Sequence, residues 1–267
     1  MIRSLLLTLL LCLPCFGQSL DDPPPGILPG LLVEPVGVRN AVASIDQAPG
    51  FVRIPIAQWP ALIAAKHNTS WWAHTGLPLN QGQVGSCASE SKDGGIMLSR
   101  ERAGLPRVVM NPYATYGRVN GGRDSGSTLS ANLSFAKQYG CFPESVWPRS
   151  KGWRAEPSAA AYEAAKQYRI VEYYRIPNND WEAFGSALLQ GYVVYWGYSG
   201  HAIVGVDLVS TSTFRYLNSW GNWGNASPHN DQLRAGFGVI DKSRIMWGYG
   251  AYCFQTVTQE IGPVADR

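Results

Sequence analysis

Apolar residues fall along this chain in three rhythms, and each predicts a different element. From Leu5 to Leu13 they are continuous, a run too short to cross a bilayer as a helix. Through the middle they suit helices. Ala88 to Arg102 is predicted as one, and Ala131 to Gly140 as another, with Leu133, Ala136 and Tyr139 on one face and Gly140 at the C-cap. A third runs from Trp181 to Gln190, capped by Asn178-Asn179-Asp180 and stopped by Gly191, with Ala183, Ala187 and Leu188 inward. From Tyr192 the pattern shortens to β-branched and aromatic runs, predicting strands at 192–197, 201–209, 214–218 and 236–240. Asn111-Pro112-Tyr113 and Tyr116 read as a loop with aromatic packing. Helices first and short, tightly connected strands afterwards predict an α+β protein with a small antiparallel sheet or barrel.

The opening changes the picture. Arg3, the apolar run and the break at Pro14-Cys15-Phe16-Gly17 have the layout of a secretory signal, residues 1–17, which predicts a secreted or periplasmic product with no stable membrane insertion. An anchor on Cys15 is the alternative, weakened by Pro14 before it. Residues 18–64 begin with Asp21-Asp22-Pro23-Pro24-Pro25-Gly26 and read as a proline-rich linker or short prosegment, with Val52 to Ala65 apolar enough to pack on the domain C-terminal to it. That domain is expected over 65–258 and a tail over 259–267. With 12% aromatic and 15% charged residues and ten tryptophans, the chain buries a great deal. A net charge of +3 without a dense basic run predicts no nucleic-acid partner.

The chemistry starts at Asn80-Gln81-Gly82-Gln83-Val84-Gly85-Ser86-Cys87. A cysteine where a Gly/Ser turn enters a helix sits at the positive end of the backbone dipole, which favours thiolate. A lone cysteine is more often a small buried hydrophobe. Two downstream segments shift that balance: Ser199-Gly200-His201-Ala202 offers a base at the mouth of a strand, and Leu217-Asn218-Ser219-Trp220-Gly221 a carboxamide that can orient it. No Cys or His pair has metal-ligand spacing, so neither metal nor cofactor is expected. His67, His74 and His229 lack partners in sequence.

Asn-Gln-Gly-x-x-Gly-Ser-Cys, Gly-His-Ala and Asn-Ser-Trp-Gly, in that order, resemble the papain-like cysteine peptidases, over roughly Trp71 to Val257. The resemblance implies a papain-like fold: a helical N-terminal half with a long central helix, an antiparallel sheet or barrel C-terminal half, and a cleft between them. It implies a monomeric peptidase acting on peptide or protein substrates with Cys87 as nucleophile, His201 as base, Asn218 as its orienter, Gln81 in the oxyanion hole and Trp220 shielding the His201–Asn218 bond. It also implies substrate contact at Ser125, Gly126 and Gly200. Family prosegments are usually longer and helical, so an inhibitory role for this proline-rich one is not expected. If Cys87 must stay free, Cys141 and Cys253 are the natural disulfide, with two separate buried thiols as the alternative. Ala88 replaces the family's tryptophan, the gap from Cys87 to His201 is short, the two Trp-Gly pairs sit one residue closer, and 226–235 is an insertion. Specificity is therefore open, and a cell-wall peptide amidase or transpeptidase, or a non-catalytic binding protein of the same fold, stays in view. Asn68, Asn132 and Asn225 open glycosylation patterns.

Overall fold

The run Val193-Val194-Tyr195-Trp196-Gly197-Tyr198 has no polar face, and a strand of that kind needs cover on both sides. A computed structural model, describing residues 23–66, 78–223 and 236–256, gives it that cover. The signal segment, His67, His74, His229, Asn68, Asn225, the 226–235 insertion and the 259–267 tail lie outside the described residues.

The strands pair antiparallel in the order β1 (Ile170–Arg175), β6 (Ala251–Thr256), β2 (Val193–Tyr198), β3 (His201–Leu208), β4 (Thr213–Leu217) and β5 (Phe237–Asp241). Among the described residues β1 and β5 stay at the edges, so the structure is an open sheet and not a barrel. Alternation along the strands divides the core. Val193, Tyr195, Tyr252 and Phe254 face one cluster, and Val194, Trp196, Ala251 and Cys253 the other.

On the first face lies α3 (Cys87–Arg102). Its Gly94 and Gly95 meet side chains and not another backbone: a Cβ at Gly95 would stand 2.6 Å from Val193 Cγ1. On the second face lies α7 (Trp181–Gln190), N-capped by Asp180, whose side chain accepts from Ala183 N, and ended by Gly191 in the left-handed region. α4 (Pro112–Val119) replaces the expected loop, because Asn111 caps it and Pro112 occupies its first turn, where a missing N–H costs nothing. α5 (Leu129–Gln138) starts two residues earlier than expected, under the Thr128 cap, and α6 (Ala159–Ala165) completes this side.

The N-terminal stretch is no free tether. Residues 23–34 lie across the molecule, α1 (Val36–Ala41) follows, and Ser44 bridges to Arg175 on edge strand β1. Ile45, Ile54 and Trp59, the last at the start of α2 (Trp59–Lys66), are buried in the α7 cluster. Trp59 donates its indole N–H to Ile54 O (2.8 Å), and its ring lies where a Cβ on Gly185 would be, 2.1 Å away. The shared core thus begins well before the expected boundary at 65.

Cys141 and Cys253 are both free and buried, which overturns the expected disulfide. Cys253 faces the α7 side of the sheet and Cys141 the α3 side, so the sheet separates the sulfurs. Asn132, offered by its sequon as a glycosylation acceptor, is fully buried and bonded to Ser89, Ser127 and the Thr128 carbonyl.

Candidate active site

Cys87 is the first residue of α3, preceded by the 80–86 turn, at the helix end where backbone N–H groups lack intrahelical partners. The backbone N–H groups of Ala202, Gly30 and Ala88 favour the Cys87 anion. Ala202 is the neighbour of His201 on β3, so the segments carrying Cys87 and His201 meet here across the sheet–helix junction. His201 Nε2 lies 2.7 Å from Asn218 Oδ1, and its other nitrogen, Nδ1, is buried without a hydrogen-bond partner. Trp220 stacks on the imidazole with ring centroids 4.5 Å apart and planes at 28°, itself braced edge-on by Trp223. The indole therefore shields the His201–Asn218 bond from water, which strengthens it.

Gln81 is fixed at four points. Its N–H donates to Ser219 O (2.9 Å), its Oε1 accepts from Ser219 Oγ (3.0 Å), and its carbonyl accepts from Tyr113 OH (3.0 Å). Its Nε2 donates to Val84 O (3.1 Å) and to Leu28 O (3.0 Å). Ser219 and Tyr113 are positioning residues that motif spacing does not single out. Ser219 sits inside the Asn218-Ser219-Trp220 signature, but nothing local says that its hydroxyl turns toward residue 81.

The Leu28 carbonyl belongs to the N-terminal stretch, which fills the groove. Leu31 N donates to Gly200 O (2.8 Å), Ser127 N donates to Gly30 O (2.8 Å), and Leu32 N donates to Ser127 O (3.1 Å), a parallel bridge between Leu31 and Ser127. Of the residues expected to touch an extended peptide, Gly200 does so through its carbonyl. Gly126 does so by lacking a side chain: its φ is +80°, and a Cβ would stand 2.5 Å from Gly30 O. Ser125 makes no such backbone pair; Ser127, two residues on, takes it. The approach is equally close on the other wall, where a Cβ at Gly30 would stand 1.9 Å from Gly85 O. Tyr116 OH and Asp124 tie the walls together, the carboxylate accepting from Gly85 N (3.0 Å) and the hydroxyl from Gly126 N (3.0 Å). Farther along, Glu34 is buried and accepts from Ser130 N (3.2 Å), Ser130 Oγ and Tyr252 OH.

This cover changes the electrostatics. Burial pushes the Cys87 thiol up to about 11, against the three N–H groups that favour its anion, with Glu90 adding a smaller upward push. Burial likewise pulls His201 down to about 4, against its bond to Asn218. With the segment seated, the thiol and the imidazole are therefore both neutral, and the helix start does not hold Cys87 as thiolate. Glu90, below Cys87 on α3, is itself raised to about 7 by burial, which its pairing with Arg149 opposes.

No protein-family model matches the sequence, and no curated protein matches it either. Solved structures do. Xylellain, a cysteine protease from Xylella fastidiosa, superposes with a TM-score of 0.60 at 18% identity, over 85% of this chain and 96% of that one. The digestive procathepsin L2 proteinase of Tenebrio molitor larval midgut gives 0.59 at 16% identity, over 89% and 82%. At such identities the likeness establishes the fold, an α+β papain-like one.

Proposed function

We propose that this papain-fold chain is an exported, thiol-dependent peptidase held latent by its own residues 24–34. What supports the assignment above all is the state of His201: one nitrogen is held by Asn218 under an indole roof, the other is buried and unpaired, and the next residue's N–H favours the Cys87 anion. The solved neighbours of the same fold are cysteine proteases and proforms of them, which supports the same chemistry. The leader at 1–17 supports export, and among the described residues no helix is long and apolar enough to cross a membrane.

In the working state His201 Nδ1 takes the Cys87 proton, and the thiolate attacks the substrate carbonyl carbon. The Asn218 oxygen holds the Nε2–H and so fixes the tautomer. Gln81 Nε2, pinned by Ser219, donates to the oxyanion where it now donates to Leu28 O. The imidazolium then protonates the leaving amine, and water releases the acyl group from sulfur. Latency has two components: the segment occupies the groove, and by drying it turns off the ion pair.

Epoxide labelling with casein hydrolysis tests this. The intact chain should leave Cys87 unmodified and casein whole. After limited proteolysis of the 24–44 stretch, Cys87 should label and casein be cut, both lost in His201→Ala. Casein cleavage that survives Cys87→Ala would overturn the assignment.

A further inference from the structure

Five residues along α3 from Cys87, on the helix flank away from the reaction site, lies a second thiol in an unusual setting. Lys92, Asp93 and Cys141 are all without solvent exposure. Lys92 Nζ lies 2.7 Å from Asp93 Oδ1, 3.0 Å from Cys141 Sγ and 3.2 Å from Thr115 Oγ1. Fully buried lysines are rare, and an ion pair taken wholly out of water is seldom worth its desolvation unless every lone pair is satisfied. Here neither Asp93 oxygen has a hydrogen-bond partner of good geometry, so the ammonium is the carboxylate's main compensation. Cys141 cannot relieve itself as a disulfide, since Cys253 faces the other side of the sheet. An amine and a thiol are thus held in contact, with a carboxylate beside the amine to take a proton.

We propose that Lys92 and Cys141 are a covalent modification site, joined by dioxygen through a single bridging oxygen, Nζ–O–Sγ. The ammonium gives one proton to the Asp93 carboxylate. The amine then loses one further hydrogen and the thiol its only one, and these two leave as water with one atom of the dioxygen. The other atom forms new bonds to Nζ and Sγ. Nitrogen and sulfur are each oxidised by two electrons, and dioxygen is reduced by four. The product is a neutral bridge beside a neutral carboxylic acid, so the reaction abolishes both buried charges. Dioxygen is small and apolar enough to reach a closed interior. The bridge ties the nucleophile-bearing helix to the chain just after α5. It does not depend on the peptidase assignment.

Peptide mapping of the full chain tests it. Protein kept in air, denatured in excess iodoacetamide and digested with trypsin should show the Lys92 and Cys141 peptides linked, with one added oxygen and two fewer hydrogens than their sum, and no cleavage after Lys92. Two equivalents of a dithiol should return the free amine and thiol with one water, and protein prepared without oxygen should lack the link. Lys92→Arg, which keeps the charge but not the reactive amine, should leave Cys141 fully alkylated. If the air-exposed wild type already shows Cys141 fully alkylated, or carrying oxygen while trypsin still cuts after Lys92, the bridge is refuted whether or not that variant folds.

Discussion

The sequence singles out Cys87, His201 and Asn218 because each sits in a local pattern: Cys87 after a Gly/Ser turn, His201 at a strand mouth, Asn218 two residues before a tryptophan. Their supports are not singled out, since Ser219 and Tyr113 act on Gln81 from 138 and 32 residues away. Ser127 was missed for a different reason. A backbone pairing partner carries no side-chain signature, so Ser125-Gly126 drew the eye. The Gln81 contacts lead to a graded expectation. Gln81→Ala removes the donor itself, and kcat should fall about a hundredfold, the usual cost of one oxyanion contact. Ser219→Ala removes only the bond that orients it, about 1 kcal/mol, so kcat/KM should fall about fivefold with KM nearly constant. Steady-state kinetics on activated enzyme separates the two, and equal losses would mean that Ser219 does more than hold Gln81.

At the scale of elements, the segment from Leu28 to Glu34 is the part that composition misled. Prolines and glycines excluded helix and ladder, which is correct, but an extended strand without ladder partners of its own is also what fits a narrow groove. Gly30 is where that fit is tightest. Gly30→Ala would push a methyl group into the Gly85 carbonyl, and overpacking of that kind costs about 1–3 kcal/mol, enough to loosen docking about fivefold to a hundredfold. Alkylation of Cys87 in the uncut chain should accelerate accordingly; an unchanged rate would show that Gly30 is not what seats the segment. Docking should also depend on pH, with two opposed contributions. His201 is lowered to about 4 by burial, so its neutral form favours the docked state at neutral pH, a contribution lost as pH falls toward 4. Glu34 is shifted the other way: burial raises its carboxyl, opposed by its bonds to Ser130 and by Arg39, so its contribution is complete below about pH 4.5 and lost as pH rises. Glu34→Gln should leave the acid release alone. Amide-exchange protection of Leu31 and Leu32, corrected for intrinsic rates, reports this, and a flat profile between pH 7 and 4 in that variant would contradict it.

For the whole molecule, the α+β division and four of the strands were legible, since a run such as Val193–Tyr198 admits little else. β1 and β6 were not anticipated. They flank one another at the far side of the sheet, joined across about 80 residues, and such pairing is set by tertiary packing more than by local pattern. The core's reach back to Ile45 was equally hidden, because Trp59 earns its place only once Gly185 leaves room for it. Trp59→Ala should therefore cost about 3–5 kcal/mol in urea unfolding, as for any large core aromatic. A loss under 1 kcal/mol at Trp59 would restore the boundary near 65. If the chain is the latent peptidase proposed above, the arrangement at Cys87 bears on how that form would endure. The Gly30 N–H favours the Cys87 anion, and the Leu28 carbonyl that accepts from Gln81 precedes Pro29, whose ring nitrogen would be a bulky leaving group. On the proposed reading, the groove's tenant is bound like a substrate but presents at Gln81 a carbonyl joined to a proline, a poor bond to cut, so eviction rather than self-cleavage in place would set the enzyme free.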